Sequence, residues 1–130
     1  SDELKPFCLS MPPDKFHHVL NYARIVISEG TTTGVEAGIL GTPCVYISTF
    51  DDPNCREMEE FGLVFNTSES GKVFKMVDTV LDEKRETFRE RAKTFLATKV
   101  NATRYYYDFI MERYQKNNAP IKNASWESTY

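Results

Sequence analysis

The chain has little of what many functional classes require. Its 130 residues hold three cysteines, two histidines, one tryptophan and six glycines. Cys8, Cys44 and Cys55 are odd in number and irregularly spaced, which supplies neither a disulfide framework nor a zinc pattern and fits reduced thiols. His17 and His18 are neighbours, and adjacent helical positions point about 100° apart, so the pair does not chelate one metal. No apolar run approaches membrane-spanning length, and the first residues lack the charged-then-apolar form of a signal peptide. The expectation is therefore a cytoplasmic chain, for which the glycosylation-type triplets at Asn66, Asn101 and Asn123 are chance matches. A marked excess of one charge is also missing. With a net charge of −3, a pI near 5.4 and no basic stripe, nucleic acid is excluded as the main partner.

What remains is an ordinary globular composition, 41% hydrophobic and 27% charged, in a length that suits one domain with a real core. The chain is organised around residues 23–48. Ile25, Val26 and Ile27 form a continuous apolar, β-branched run of the kind found in strands buried on both faces. Ser28, Glu29 and Gly30 end it, and Thr31, Thr32, Thr33 and Gly34 follow. From Val35 the spacing turns helical, through Glu36, Ala37, Ile39 and Leu40. Gly41, Thr42 and Pro43 close that helix, Gly at the left-handed position after it and Pro unable to extend it. Cys44, Val45, Tyr46 and Ile47 read as a second buried strand. Strand, turn, helix, strand is one βαβ unit, which predicts an α/β fold with a small parallel sheet of three or four strands.

Residues 30–34 lie where the turn after a strand meets a helix N-terminus. In open parallel sheets ligands bind at that edge, and free N–H groups aligned with the helix dipole favour a phosphate or carboxylate. Small residues allow close approach, and three hydroxyls add donors. A second account stands beside it: Thr32 or Thr33 caps the helix and the glycines only make the turn. Glu36 carries the same two accounts, a ligand contact or a carboxylate favoured by the first helical turn.

The remaining pattern frames this unit. Pro6 to Ser10 reads as a short strand. Pro12, Pro13 and Asp14 open a helix with Phe16, Val19, Leu20 and Ala23 on its buried face. Asp51 or Asp52 caps a helix starting near Pro53, and Arg56 on that helix pairs with Glu59 or Glu60. Gly62 to Phe65 is a further short strand. A helix spans about 72–81, and charge then dominates 82–93, a solvated helix with a narrow stripe of Phe88, Ala92, Phe95 and Leu96. The last helix, 102–114, is crowded with Tyr105, Tyr106, Tyr107, Phe109, Ile110 and Met111, more aromatic surface than a lone exposed helix justifies. Residues 115–130 form a polar tail in which Trp126 is the one docking residue.

The string from Ser28 to Ser48 resembles the donor-binding segment of GT-B-type sugar-nucleotide proteins. It is similar to the non-hydrolysing UDP-N-acetylglucosamine 2-epimerases and to a related prokaryotic family of unknown function. Leu40-Gly41-Thr42-Pro43 and Glu59-Glu60-Phe61-Gly62-Leu63 follow in the order those families show. The likeness covers about residues 12–114 and is strongest between 23 and 63. It implies a three-layer, Rossmann-like C-terminal lobe over residues 1–114 that binds a UDP-linked sugar. The diphosphate would lie on Ser28, Glu29, Gly30, Thr31, Thr32, Thr33 and Gly34, and the ribose on Glu36. His17 and Arg56 are further ligand-side candidates. No cofactor and no metal are implied, and no catalytic residues can be assigned. The resemblance also implies a partner lobe in front of residue 1, against which C-terminal helices pack. Without it the lobe binds donor and does not turn over. The alternative is an interaction module that keeps the fold without the ligand and uses the aromatic helix, in one version to form a homodimer.

Overall fold

A computed structural model describes residues 2–117. The chain divides into two compact units, one running to Thr98 and the other beginning at Lys99. In the first unit, short 3-10 turns at Asp2–Phe7 and Pro13–Lys15 precede α1 (Phe16–Tyr22), β1 (Val26–Ser28) and α2 (Thr31–Ile39). β2 (Cys44–Ile47), α3 (Pro53–Glu60), β3 (Val64–Thr67), α4 (Ser70–Asp82) and α5 (Arg85–Ala97) follow. The three strands form one parallel sheet in the order β1-β2-β3, with Val26 beside Cys44 and Cys44 beside Val64. This is the Rossmann-like α/β architecture that the βαβ pattern predicts.

Strand alternation divides the core. Cys44, Tyr46 and Val64 join Ala37 of α2 and Cys55 and Met58 of α3 in one buried cluster, with Val26 packed against it. Val45 and Phe65 point to the opposite face, and α4 packs against β2 and β3 with Val73 and Val80 buried. Ile27 shares that face but is 53% exposed, because it sits on the edge strand, whereas α4 packs mainly over β2 and β3. The expectation of a first strand buried on both faces is corrected here. A buried apolar run and a half-covered edge strand have the same composition, and only the neighbouring strands separate them.

α2 and α3 end in the same way. Gly41 has φ +74° and Gly62 has φ +64°, each one residue past the helical cap. Gly41 N donates to Gly38 O at 3.0 Å and Thr42 N to Ala37 O at 2.9 Å. Gly62 N donates to Glu59 O at 2.9 Å and Leu63 N to Met58 O at 3.0 Å. Both are the paired bonds of a Schellman stop. The second stop consumes Gly62 and Leu63, so β3 begins at Val64, two residues later than the apolar run suggests. Thr42 Oγ1, fully buried, donates to Leu20 O at 2.8 Å and ties the end of α2 to α1.

The amino edge of the sheet is closed by arginines. Arg24, just before β1, donates to Leu81 O at 2.9 Å and Glu83 O at 2.6 Å, satisfying carbonyls at the end of α4. Arg85 donates to Asn21 O near the end of α1, and Arg91 donates to Gly62 O at 3.2 Å while pairing with Glu83 at 2.8 Å. Beneath them Phe88, Ala92 and Phe95 of α5 are buried, the narrow stripe that the sequence shows. The helix expected across 82–93 is interrupted: α4 stops at Asp82, and Glu83 and Lys84 are extended before α5 starts. The strand expected between Pro6 and Ser10 is instead part of the first 3-10 turn and its exit. No residue of that turn is buried, so a strand there would have nothing to pair with.

The second unit holds α6 (Ala102–Asn117), which starts where Asn101 Oδ1 accepts from Arg104 N at 2.9 Å and runs three residues past Tyr114. Arg104 pairs with Asp108 at 2.7 Å, and Tyr105 stacks on Phe109 with ring centroids 6.4 Å apart. Tyr105, Tyr106, Tyr107, Phe109, Ile110 and Tyr114 are exposed. Trp126 and the tail from 118 onwards lie outside the described residues.

Candidate functional site

With the amino edge closed by α5, the carboxyl edge is where the strands hand over to helices. Each strand ends in, or is followed directly by, a hydroxyl residue that folds the next turn. Ser28 Oγ accepts from Gly30 N at 3.0 Å, Ser48 Oγ from Phe50 N at 3.0 Å, and Thr67 Oγ1 from Glu69 N at 3.1 Å. These side chains take over the backbone donors that the sheet no longer pairs.

The turn after β1 is shorter than the sequence suggests. Gly30, extended at φ −93° and ψ 122°, is the cap, and α2 begins at Thr31. Thr31, Thr32 and Thr33 therefore form the first helical turn rather than a loop, and Gly34 is buried against Cys44. The Ser28 turn completes the reversal within two residues, leaving Gly30 as the only bend required. No side chain caps α2, so neither Thr32 nor Thr33 plays the capping role considered for it. The first-turn N–H groups have no acceptor within the helix by geometry and face the edge. Thr31 is fixed from below, its Oγ1 lying 3.0 Å from the hydroxyl of Tyr46. Tyr46 is buried, and its last polar atom is satisfied there.

Glu36 moves with this change. It is the sixth residue of α2, in the second turn, where the dipole contributes little. Its Oε2 lies 3.5 Å from His17 Nε2 of α1, an ion pair when the imidazole carries its proton. Ser28, Gly30, the threonines, Gly34, Glu36 and His17 thus gather around the first two turns of α2. Glu29 stands exposed beside them.

Arg56 does not join this group. It pairs through two contacts with Asp51, not with Glu59 or Glu60. Glu59 is instead turned to β3, where it accepts from Asn66 N at 3.1 Å and Asn66 Nδ2 at 2.6 Å. Asp52 caps α3, accepting from Asn54 N at 2.8 Å and Cys55 N at 3.1 Å, as its place before Pro53 implies.

Arg56 lines an open cleft of about 690 Å³ at the same edge, between the turns after β2 and β3. Its walls carry Asp51, Asp52, Glu59 and Glu69 against Arg56 and Lys72, with hydroxyls from Ser48, Thr49, Thr67 and Ser68 and apolar surface from Phe50 and Met76. Lys72 pairs with Glu69 at 2.5 Å. The sequence does not single out Glu59, Asn66, Glu69 or Lys72 as site residues, because they come from α3, β3 and the start of α4 and meet only in the fold. The available signal was the hydroxyl residue at each strand end, which marks the edge they share.

Cys44 and Cys55 are buried and lack the exposed, electropositive surroundings that activate a thiol. Burial, with a contribution from Cys55, pushes Cys44 up to about 12. Burial, then Asp52 and Glu59, pushes Cys55 up to about 11. Among the described residues no group of three or more potential metal ligands forms, and no helix is long and apolar enough to cross a membrane. Comparison with models of protein families gives no match, and neither do comparisons with curated proteins and with solved structures.

Proposed function

We propose that this chain is the donor-binding lobe of a nucleotide-sugar protein, a glycosyltransferase or a UDP-N-acetylglucosamine 2-epimerase-like enzyme. The observation that carries it is the uncapped start of α2, set directly after β1 at the open edge of a parallel sheet. A diphosphate on the N–H groups and hydroxyls of Thr31, Thr32 and Thr33 gains both hydrogen bonds and the dipole. Glu36, one turn further, accepts from the ribose hydroxyls, since a carboxylate takes two neighbouring donors at once. The adjacent cleft supports a polyhydroxyl group, because its carboxylates, cations and hydroxyls alternate as acceptors and donors beside exposed Phe50. Catalysis is assigned to no residue of this chain; acceptor and acid–base groups belong to a second lobe.

The test is an amide-shift titration with UDP and UDP-N-acetylglucosamine. Shifts centred on residues 28–36 and lost in Gly30→Val are expected. At Gly30 φ is ordinary and an added Cβ would meet Ser28 Oγ at 3.6 Å and Thr33 Oγ1 at 3.9 Å, so a β-carbon is accommodated by the fold, and the ligand-free spectrum of Gly30→Val reports whether the γ-carbons are as well. No shifts with either ligand at millimolar concentration would remove this reading. The second reading, an interaction module, rests on α6, whose Tyr105, Tyr106 and Ile110 are about 60% exposed. A concentration-dependent mass by light scattering that Tyr106→Ser and Ile110→Ser abolish would favour it.

A further inference from the structure

We propose that His17 is a positioning residue for Glu36, a role that rests on the donor-site reading above. The reason begins with the register of α2. Glu36 lies in the second turn, beyond the reach of the dipole that would otherwise hold a carboxylate in place. Its side chain is about one-third exposed, and among the described residues no hydrogen bond fixes its rotamer. His17, on the neighbouring helix α1, brings Nε2 to 3.5 Å from Oε2, and among the described residues Glu36 has no other charged partner. α1 packs against α2, and its end is tied to α2 by the Thr42–Leu20 bond, so the imidazole is carried on a fixed element. The imidazole engages one lone pair of Oε2, which steadies the carboxylate, and the remaining lone pairs of both oxygens stay open to donors. A vicinal diol needs that arrangement, because both of its hydroxyls must find acceptors in one orientation. A diphosphate held on α2 N–H groups does not.

The difference between those two ligand parts makes the test. Wild type, His17→Ala, His17→Gln, Glu36→Gln and the His17→Ala/Glu36→Gln double variant are titrated with UDP and with inorganic pyrophosphate by amide shifts. His17 is well exposed, and the spectra themselves report the fold. His17→Ala is expected to weaken UDP by about twofold to fivefold, the scale of an exposed ion pair, with pyrophosphate unchanged. His17→Gln, which keeps a donor, recovers part of the loss, and the double variant binds UDP no worse than Glu36→Gln alone, as coupled groups require. Unchanged UDP affinity in His17→Ala, an equal loss for pyrophosphate, or additive losses in the double variant would each overturn the assignment while leaving the donor site standing. Wild type that binds neither ligand would overturn the donor site and this role together.

Discussion

Gly41 offers the sharpest test of how this fold is held. Replacing it with alanine places a β-carbon on a residue at φ +74°, which costs about 1–2 kcal/mol for an L-residue. The same atom would lie 2.9 Å from Arg89 Cα and 3.0 Å from Arg89 Cγ. The first of these is backbone, so α5 has to shift, and overpacking of this kind costs roughly 1–3 kcal/mol. Together the loss is about 2–5 kcal/mol, or a fall of roughly 10 °C or more in Tm for a domain near this size. Urea unfolding of Gly41→Ala beside Gly71→Ala measures it. Gly71 is in the first turn of α4 with nothing within 4 Å of an added Cβ, so its replacement should stabilise by about 0.4–1 kcal/mol. Opposite signs for the same chemical change are the signature. Gly41→Asn then separates the two costs, since asparagine tolerates the left-handed region but still carries the β-carbon. Recovery with Asn assigns the loss to backbone conformation, and no recovery assigns it to Arg89. A Gly41→Ala variant within about 0.5 kcal/mol of wild type would refute both.

Thr42→Val is nearly isosteric but leaves Leu20 O without its donor in a buried place, and should cost about 1–3 kcal/mol by the same assay. The three thiols should separate by reagent: Cys8, exposed, reacts with a disulfide probe in the folded protein, while buried Cys44 and Cys55 react only on unfolding. Because folding raises both buried thiols above their ordinary 9.0, the unfolded chain releases protons first as the solution turns alkaline. Their contribution is whole below pH 9.0 and is lost as pH climbs towards about 11 and 12, so the urea midpoint should fall there, and less steeply in Cys44→Ala. An equal slope in that variant would remove Cys44 from the account.

The local signals in this sequence were strong where one physical cause acts alone. Gly41 before Thr42-Pro43 marks a helix stop because only glycine takes φ +74° cheaply, and Asp52 before Pro53 marks a cap because its carboxylate reaches two free N–H groups. The apolar run Cys44-Val45-Tyr46-Ile47 declares a strand buried on both faces, and it is the central strand. From these the α/β class and the sheet edge that carries the candidate site follow. Other features depend on groups far apart in the chain, and composition is silent on them. Whether Ile27 is covered depends on how far α4 reaches, and whether Thr31 starts the helix depends on Ser28 finishing the turn and Tyr46 meeting its hydroxyl. Arg56 had several carboxylates within reach along its helix, and Asp51 won because Glu59 is turned to Asn66 on β3. Glu36 was visible as an acid near a helix start, but its partner His17 is nineteen residues away on another helix. The elements, their stops and the edge where they change over are thus local properties, set by residues close together in the chain. The tertiary structure decided which side chains meet there, because pairing depends on distances that only packing sets.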